Sequence, residues 1–286
     1  MQPDNDPFFT NPARAKMLAA RVLEFAPHTD LFLEPAAGDG AFLQYLPTPA
    51  IGIDIDPRAE GILKADFFEW RAPSWAKSIA VITNPPFGHA GNRAVEYYNH
   101  AATMAETIAM ILPASFRKAS MLSRLDPRFE LVEELDLPDE PFRRDGEIHR
   151  VNVVFQIWRR TGIERPAPLK PTTHRDFEFV RSIDEADFAV RRVGARAGAI
   201  LDIPPTCNGR KGLARSSNYF VRAAGVSADA VRATMAAIDF SDARASNVKV
   251  PSIAKTEIVT LYDAMKWLRG QTSVADRSAR PSFEHS

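Results

Sequence analysis

Apolar and polar positions alternate along the first half of the chain in two periods. After a polar, proline-bearing start over residues 1 to 9, Ala15, Leu18, Ala19, Val22 and Leu23 recur at helical spacing within ARAKMLAARVLEF, which predicts an amphipathic helix with Pro12 in its first turn. The short apolar run LFLEP then breaks at AAGDG and resumes as AFLQYL, an order that predicts strand, glycine turn and helix. AIGIDID predicts a second buried strand, followed by a brief helical stretch from Pro57, and LKADFF predicts a third. IAVITNPPF predicts a fourth, ended by prolines that cannot continue a ladder. GNRAVEYYNHAATMA predicts a helix leading into TIAMILP, a fifth strand. ELVEELDLP and VNVVFQIWRR follow as sixth and seventh strands, joined by the polar connection PDEPFRRDGEIHR.

Strands alternating with helical segments require crossover connections, so the expected class is α/β, a Rossmann-like, seven-stranded, mostly parallel sheet with helices on both faces. Ligands of such sheets bind beyond the carboxyl ends of the strands, where the loops after LFLEP and IAVIT both emerge. The first domain is expected over residues 1–162. Past Arg160 the pattern is lost in TGIERPAPLKPTTHRD, with prolines at 166, 168 and 171, which predicts a linker over residues 163–174. A mixed pattern over residues 175–270 predicts a smaller C-terminal α+β domain, and the polar stretch 271–286 is expected to be disordered.

Composition narrows the picture. A chain of 286 residues can bury one generous core or two modest ones. Its single cysteine, Cys207, excludes an internal disulfide framework and any site built on several thiolates; it reads as an inert small residue in a reducing compartment, and no metal ion is expected. No apolar run approaches the roughly 18 residues needed to span a bilayer, and MQPDNDPFF lacks the basic-then-apolar order of a secretion signal. A cytoplasmic protein without a membrane partner is expected. Lys+Arg and Asp+Glu both number 36, so net charge points to no partner, but the distribution does. Between Arg191 and Arg222 stand seven basic residues and one acid, Asp202.

Candidate chemistry follows the strand order. Gly38 and Gly40 sit between a strand and a helix, where glycine permits a sharp turn and free N–H groups favour anionic parts of a ligand; a glycine needed only for turn geometry would look the same. Asp54, sixteen residues past Gly38 at the tip of the second strand, can accept both ribose hydroxyls of a nucleoside, with Ile55 beside it. Asp56 is a neighbouring candidate but better suited to capping ahead of Pro57. Asp66 could accept from an adenine amino group while Phe67 packs on the ring. The three elements together imply an adenosine-containing cofactor.

Asn84-Pro85-Pro86-Phe87 is the strongest motif. An exocyclic amino nitrogen is a poor nucleophile because its lone pair is delocalised into the ring, and two acceptors around its hydrogens free that pair. The Asn84 side-chain carbonyl and the Pro85 backbone carbonyl can be those acceptors, held in place by two prolines of fixed φ. Phe87 could stack the base, and Gly88 lets the chain turn away. Read alone, the motif could be a rigid proline turn closing a strand.

These segments resemble the gamma class of S-adenosylmethionine-dependent amino-methyltransferases, best known as adenine-N6 DNA methyltransferases of restriction-modification systems. The resemblance covers about residues 8 to 160: FFTNPARAKMLAARVL is similar to the N-terminal motif of the class, LEPAAGDGAF to its glycine motif, GIDIDP to its ribose acid, KADFFEW to its adenine-binding motif and NPPF to its catalytic motif. It implies S-adenosyl-L-methionine as cofactor, with Glu34 and Ala36 lining it and Thr10 and Pro12 beside its methionine end. An asparagine separates Thr10 from Pro12 where the class has the two adjacent. It also implies adenine N6 in DNA as substrate, and a cognate restriction endonuclease as candidate partner. Enzymes with this motif also act on RNA adenine and on the glutamine amide of proteins.

The strip RRVGARAGAILDIPPTCNGRKGLARSSNYFVRAAG joins positive charge to asparagines and aromatics. Arg191, Arg192, Arg196, Arg210, Lys211 and Arg215 could neutralise phosphate or read base edges, making residues 175–270 a nucleic-acid recognition domain; a solvated basic face with NYFV as a core strand is the alternative. An enzyme that extracts a base from a duplex needs such extra surface. From another class altogether, a non-catalytic nucleic-acid-binding subunit could keep the same fold.

Overall fold

The computed structural model describes residues 10–137, 141–144, 147–150, 152–203, 212–245 and 250–278. The chain forms two compact units, Met1–Pro168 and Leu169–Ser286, divided inside the proline-rich stretch.

The first unit opens with α1 (Pro12–Phe25), capped by Asn11, whose side chain accepts from the Ala13 N–H at 2.9 Å, with Pro12 where a missing N–H costs nothing. Its apolar stripe Ala15, Leu18, Ala19 and Val22 is fully buried. Then come β1 (Leu31–Pro35), β2 (Ala50–Asp54), β3 (Ile62–Lys64), β4 (Ile79–Thr83), α2 (Asn92–Ala101), β5 (Thr107–Pro113), α3 (Ala119–Leu122), β6 (Phe129–Leu137), β7 (Pro141–Arg144), β8 (Glu147–Arg150) and β9 (Val153–Arg160). Seven strands form one sheet in the order β3-β2-β1-β4-β5-β9-β6. β3, β2, β1, β4 and β5 are parallel, and β9 runs antiparallel between β5 and β6. This is the mostly parallel, Rossmann-like sheet that the alternating pattern predicts. β1, β4 and β5 are buried along their whole length, as strands covered on both faces must be. Trp158 and Tyr98 anchor the core edge to face, their ring centroids 5.5 Å apart.

Four local expectations fail. AFLQYL forms only a single 3₁₀ turn over Leu43–Tyr45, because Leu46 is extended and Pro47 and Pro49 follow within a turn. No helix forms at Pro57. The third strand stops at Lys64, since the Asp66 side chain accepts from the Phe68 N–H at 2.9 Å and turns the chain there. The polar connection between the sixth and seventh predicted strands contains a hairpin, with Phe142 of β7 opposite His149 of β8.

The second unit is α+β. Strands β10 (Phe177–Val180), β11 (Phe188–Arg191), β12 (Ile200–Asp202) and β13 (Asn218–Ala223) make an antiparallel sheet in the order β10-β13-β11-β12, accompanied by α4 (Ala228–Ala236), α5 (Ser241–Ala245) and α6 (Lys255–Ser278). Phe177, Phe188, Val221, Met235, Ile258 and Tyr262 belong to one buried cluster. Below it, the Asp176 carboxylate receives Lys266 and the Tyr262 hydroxyl. Residues 271–278 of the expected tail continue α6; residues 279–286, like 1–9, lie outside the described residues. No described helix is long and apolar enough to cross a membrane.

Gly198 marks the tightest point of the second unit: its φ is +95°, and a Cβ there would lie 2.5 Å from Phe240 Cδ2. Backbone strain and overpacking act together, so G198A should lose about 2 kcal/mol or more in denaturant unfolding. An unchanged midpoint would show that Phe240 moves aside.

Candidate active site

The parallel register brings the carboxyl ends of three strands together. Glu34 of β1 pairs with Gly52 of β2 and Pro35 with Ile53, while Leu33 pairs with Val81 of β4. The loops after Pro35, Asp54 and Thr83 therefore leave from one end of the sheet, and the Thr83 hydroxyl donates to the Pro35 carbonyl across them.

Asp54 ties the first two loops. One carboxylate oxygen accepts from the Gly38 N–H and the other from the Asp56 N–H, both at 2.8 Å, while the Arg58 N–H reaches the Gly38 carbonyl at 2.8 Å. The turn is sharp: Ala36, Gly38 and Gly40 all have positive φ (54°, 56° and 75°), and the alanine bears a steric cost of about 1–2 kcal/mol that the surrounding bonds must offset. Gly52 gives the turn a close seat: a Cβ there would stand 2.4 Å from Leu43 Cδ1 and 3.3 Å from Ala37 Cβ, so the Leu43 side chain would have to move.

Glu34 lies beneath the turn, 3 % exposed, its two oxygens accepting from the N–H groups of Phe42 (3.2 Å) and Leu43 (2.9 Å). Those donors favour the carboxylate, but burial outweighs them, helped by Asp39 and Asp54, and pushes Glu34 up to about 8. At neutral pH it therefore carries its proton.

The Asn84-Pro85-Pro86 loop faces the same cavity. The Asn84 amide donates from Nδ2 to Thr10 Oγ1 at 3.3 Å, which orients the group. Beyond it the Phe87 carbonyl accepts from the Arg93 and Ala94 N–H groups and opens α2, and Gly88 makes the bend with φ +65°, where a Cβ would meet Arg93 Cβ at 2.8 Å.

One cavity gathers most of the expected residues: Thr10, Glu34, Ala36, Gly38, Asp54, Ile55, Phe67, Asn84, Pro85 and Pro86 all line it. Pro12, Gly40, Asp66 and Phe87 do not line it. Pro12 is exposed at the start of α1, Gly40 closes the turn by donating to the Ala37 carbonyl at 2.7 Å, and Asp66 spends a carboxylate oxygen on its own turn. Phe87 is 8 % exposed within the core of the first unit, so it offers no open face for stacking. Asp39, Arg58 and Tyr97 line the cavity without having been expected. Tyr97 packs on Phe67 with ring centroids 5.4 Å apart, and His100 meets Phe67 edge-on at 4.7 Å, so α2 fixes the ring that walls the cavity. Burial pushes the Tyr97 hydroxyl up to about 12.

Carboxylates outnumber cations here. Asp39, Asp54 and Asp56 face Arg58, which is paired to Asp56 at 2.9 Å. A cationic ligand with a nucleoside part suits this lining: Asp54 retains acceptor capacity beyond its two backbone bonds, and Ile55, 49 % exposed, and Phe67 offer apolar faces for a base.

The sequence matches no protein-family model and no curated protein. Among solved structures, it is similar to a candidate RNA methyltransferase of Pyrococcus horikoshii, at 15 % identity over 56 % of this chain and 93 % of that one, with a TM-score of 0.42. It is similar to the N-methyltransferase NodS of Bradyrhizobium japonicum, at 15 % identity over 52 % and 95 %, TM-score 0.37. It is also similar to magnesium protoporphyrin IX methyltransferase of Synechocystis, at 10 % identity over 52 % and 79 %, TM-score 0.38.

The raised pKa of Glu34 has a signed consequence. Its native proton is held up to about pH 8, while the unfolded carboxyl loses it near its ordinary value of 4.5. Its contribution to stability is thus complete below about pH 4.5 and is lost as pH rises towards 8, at no more than about 1.4 kcal/mol per pH unit. Urea unfolding across that range should show a downward slope that E34Q reduces; identical slopes in both proteins would contradict the assignment.

Proposed function

We propose that the first unit is an S-adenosyl-L-methionine-dependent methyltransferase acting on an exocyclic amino nitrogen, with adenine N6 in DNA as its target. The observation that carries this reading is that Asn84, Pro85 and Pro86 open onto the same cavity as Gly38, Asp54 and Phe67. The residues fit the cofactor: Asp54 for the ribose hydroxyls, Ile55 and Phe67 for the adenine faces, and the surplus of carboxylates for a sulfonium and an ammonium group. Bound there, the cofactor supplies an electrophilic methyl group.

The chain's own part is placement. Asn84 Oδ1 and the Pro85 carbonyl accept the two hydrogens of the target amino group, draw the nitrogen towards tetrahedral geometry and release its lone pair. The two prolines and the bond from Asn84 to Thr10 hold those acceptors before the substrate arrives, so no reorganisation is needed at the moment of reaction. No general base is needed, because nitrogen becomes acidic once alkylated and its extra proton leaves to water. Stacking by Phe87 requires its ring to turn out of the core, so base extraction and ring rotation would be coupled steps.

DNA as substrate rests on the resemblance of the motif order and on the cationic second unit; a strand of RNA offers the same amino group. Offering either polymer with methyl-labelled cofactor separates them: label in DNA alone supports the reading, and label in RNA alone overturns the substrate. N84A should lower turnover by about 10²–10³-fold while cofactor affinity stays within a few fold, and unaltered turnover would make the loop structural only. D54A should instead weaken cofactor binding tenfold or more, on the order of the 1.5–3 kcal/mol that hydrogen bonds to a charged group contribute. Calorimetric titration reads that loss directly.

A further inference from the structure

The basic strip does not form one face. Arg192 and Arg215 enter a cleft of the second unit together with two cations from outside the strip, Arg181 and Lys255, whereas Arg191 and Arg196 do not line it, and Arg210 and Lys211 lie outside the described residues. The fold dictates the gathering. Arg181 follows β10, Arg192 follows β11, Arg215 precedes β13, and Lys255 begins α6. The chain at Pro251–Ile253 is laced to the residues after β11, with the Gly194 N–H on the Pro251 carbonyl at 2.8 Å and the Ile253 N–H on the Arg192 carbonyl at 2.9 Å.

Among the described residues none of the four cations forms an ion pair. The carboxylate two residues past Lys255, Glu257, accepts from the Ala254 N–H at 2.6 Å, and among the described residues no carboxylate lines the cleft. Aromatic faces hold the cations instead: Arg192 lies 5.1 Å from the Tyr219 ring centroid and Lys255 4.8 Å from that of Phe179. Burial lowers the Lys255 pKa, and the charges of Arg215, Arg192 and Arg181 add to that effect. Two polar atoms lack partners. Arg192 Nε is buried with no acceptor, and Asn218, 2 % exposed, donates from Nδ2 to the Ala214 carbonyl at 2.8 Å while its Oδ1 meets no donor.

Four cations kept together without a counter-ion, beside an unsatisfied donor and an unsatisfied acceptor, describe a site whose missing component is an anion that also carries an N–H group. We propose that this cleft binds a phosphodiester of a nucleic-acid strand, with Arg181, Arg192, Arg215 and Lys255 around the phosphate and Asn218 accepting from an N–H of the adjoining nucleotide. The assignment deepens the reading of the chain as a nucleic-acid-modifying enzyme and rests on it for the source of the phosphate.

The test uses the full chain and a labelled duplex oligonucleotide, with fluorescence anisotropy read over a series of salt concentrations. The double variant R181A/K255Q should bind on the order of tenfold or more weakly, with a salt slope smaller by about one to two. R215A should move both quantities in the same direction, and R159A, in the first unit and paired to Glu130, should move neither. Removing like charges from a repulsive cluster leaves the thermal midpoint unchanged or raised. Variants that keep that midpoint together with wild-type affinity and slope would overturn the proposal. So would competition by inorganic phosphate or deoxyadenosine monophosphate at the concentration at which unlabelled duplex competes, since the cleft would then be a small-anion site. Methyl transfer by the wild-type protein is measured in the same samples. Cleft-dependent binding without transfer leaves the cleft standing and removes the methyltransferase reading, whereas transfer with cleft-independent binding removes the cleft alone.

Discussion

The carboxylate of Asp54 takes the Gly38 N–H on one oxygen and the Asp56 N–H on the other, and through these two bonds the tip of β2 holds the turn that leaves β1. That turn would not keep its shape unaided. It carries a non-glycine residue, Ala36, in the left-handed region and packs closely on Gly52, where an added Cβ would displace the Leu43 side chain. Glu34 supports it from beneath by capping the N–H groups of Phe42 and Leu43. The parallel register of β1 with β2 and β4 brings Asn84 to the same end of the sheet, so a carboxylate clamp and a strand register together build the cavity. Strain in the turn and the buried proton on Glu34 are two costs of the same arrangement, and the sheet beneath bears both.

The two units differ in electrostatic character. The cavity of the first collects Asp39, Asp54 and Asp56 against a single arginine that is already paired, which favours cationic ligands. The cleft of the second collects four cations and, among the described residues, no carboxylate, which favours anions. A chain of net charge zero thus contains two strongly charged sites of opposite sign. An enzyme that holds a sulfonium cofactor and a polyanionic substrate needs both, and the overall balance conceals the division.

Sequence legibility follows the distance over which each position is decided. Gly38, Asp54 and Asn84 each stand at the end of a strand, and adjacent parallel strands present their ends side by side, so a linear order of motifs becomes a cavity without further information. Tyr97 and Arg58 could not be read that way, because their places depend on how α2 packs and how the loop after β2 is tied to Gly38. The residue types of Phe87 and Asp66 suit ligand contacts, but local demands claim them first: the ring lies in the core, and the carboxylate caps its own turn. AFLQYL has an apolar spacing that a helix would accept, but prolines at 47 and 49 restrict it to one 3₁₀ turn. In the second unit a run of arginines suggests one basic face, yet strand alternation disperses such a run, and of the residues that complete the cleft Arg181 follows β10 and Lys255 begins α6.

We propose that the Asn84 loop and the Asp54 cavity together transfer a methyl group to an exocyclic amino nitrogen of adenine. The most direct test is the identity of the product. Duplex DNA incubated with the protein and methyl-labelled S-adenosyl-L-methionine is digested to nucleosides and separated by chromatography with mass detection. The account predicts label in N6-methyl-2′-deoxyadenosine; label confined to a carbon-methylated base, or DNA that takes up none while the protein binds the cofactor, would contradict it.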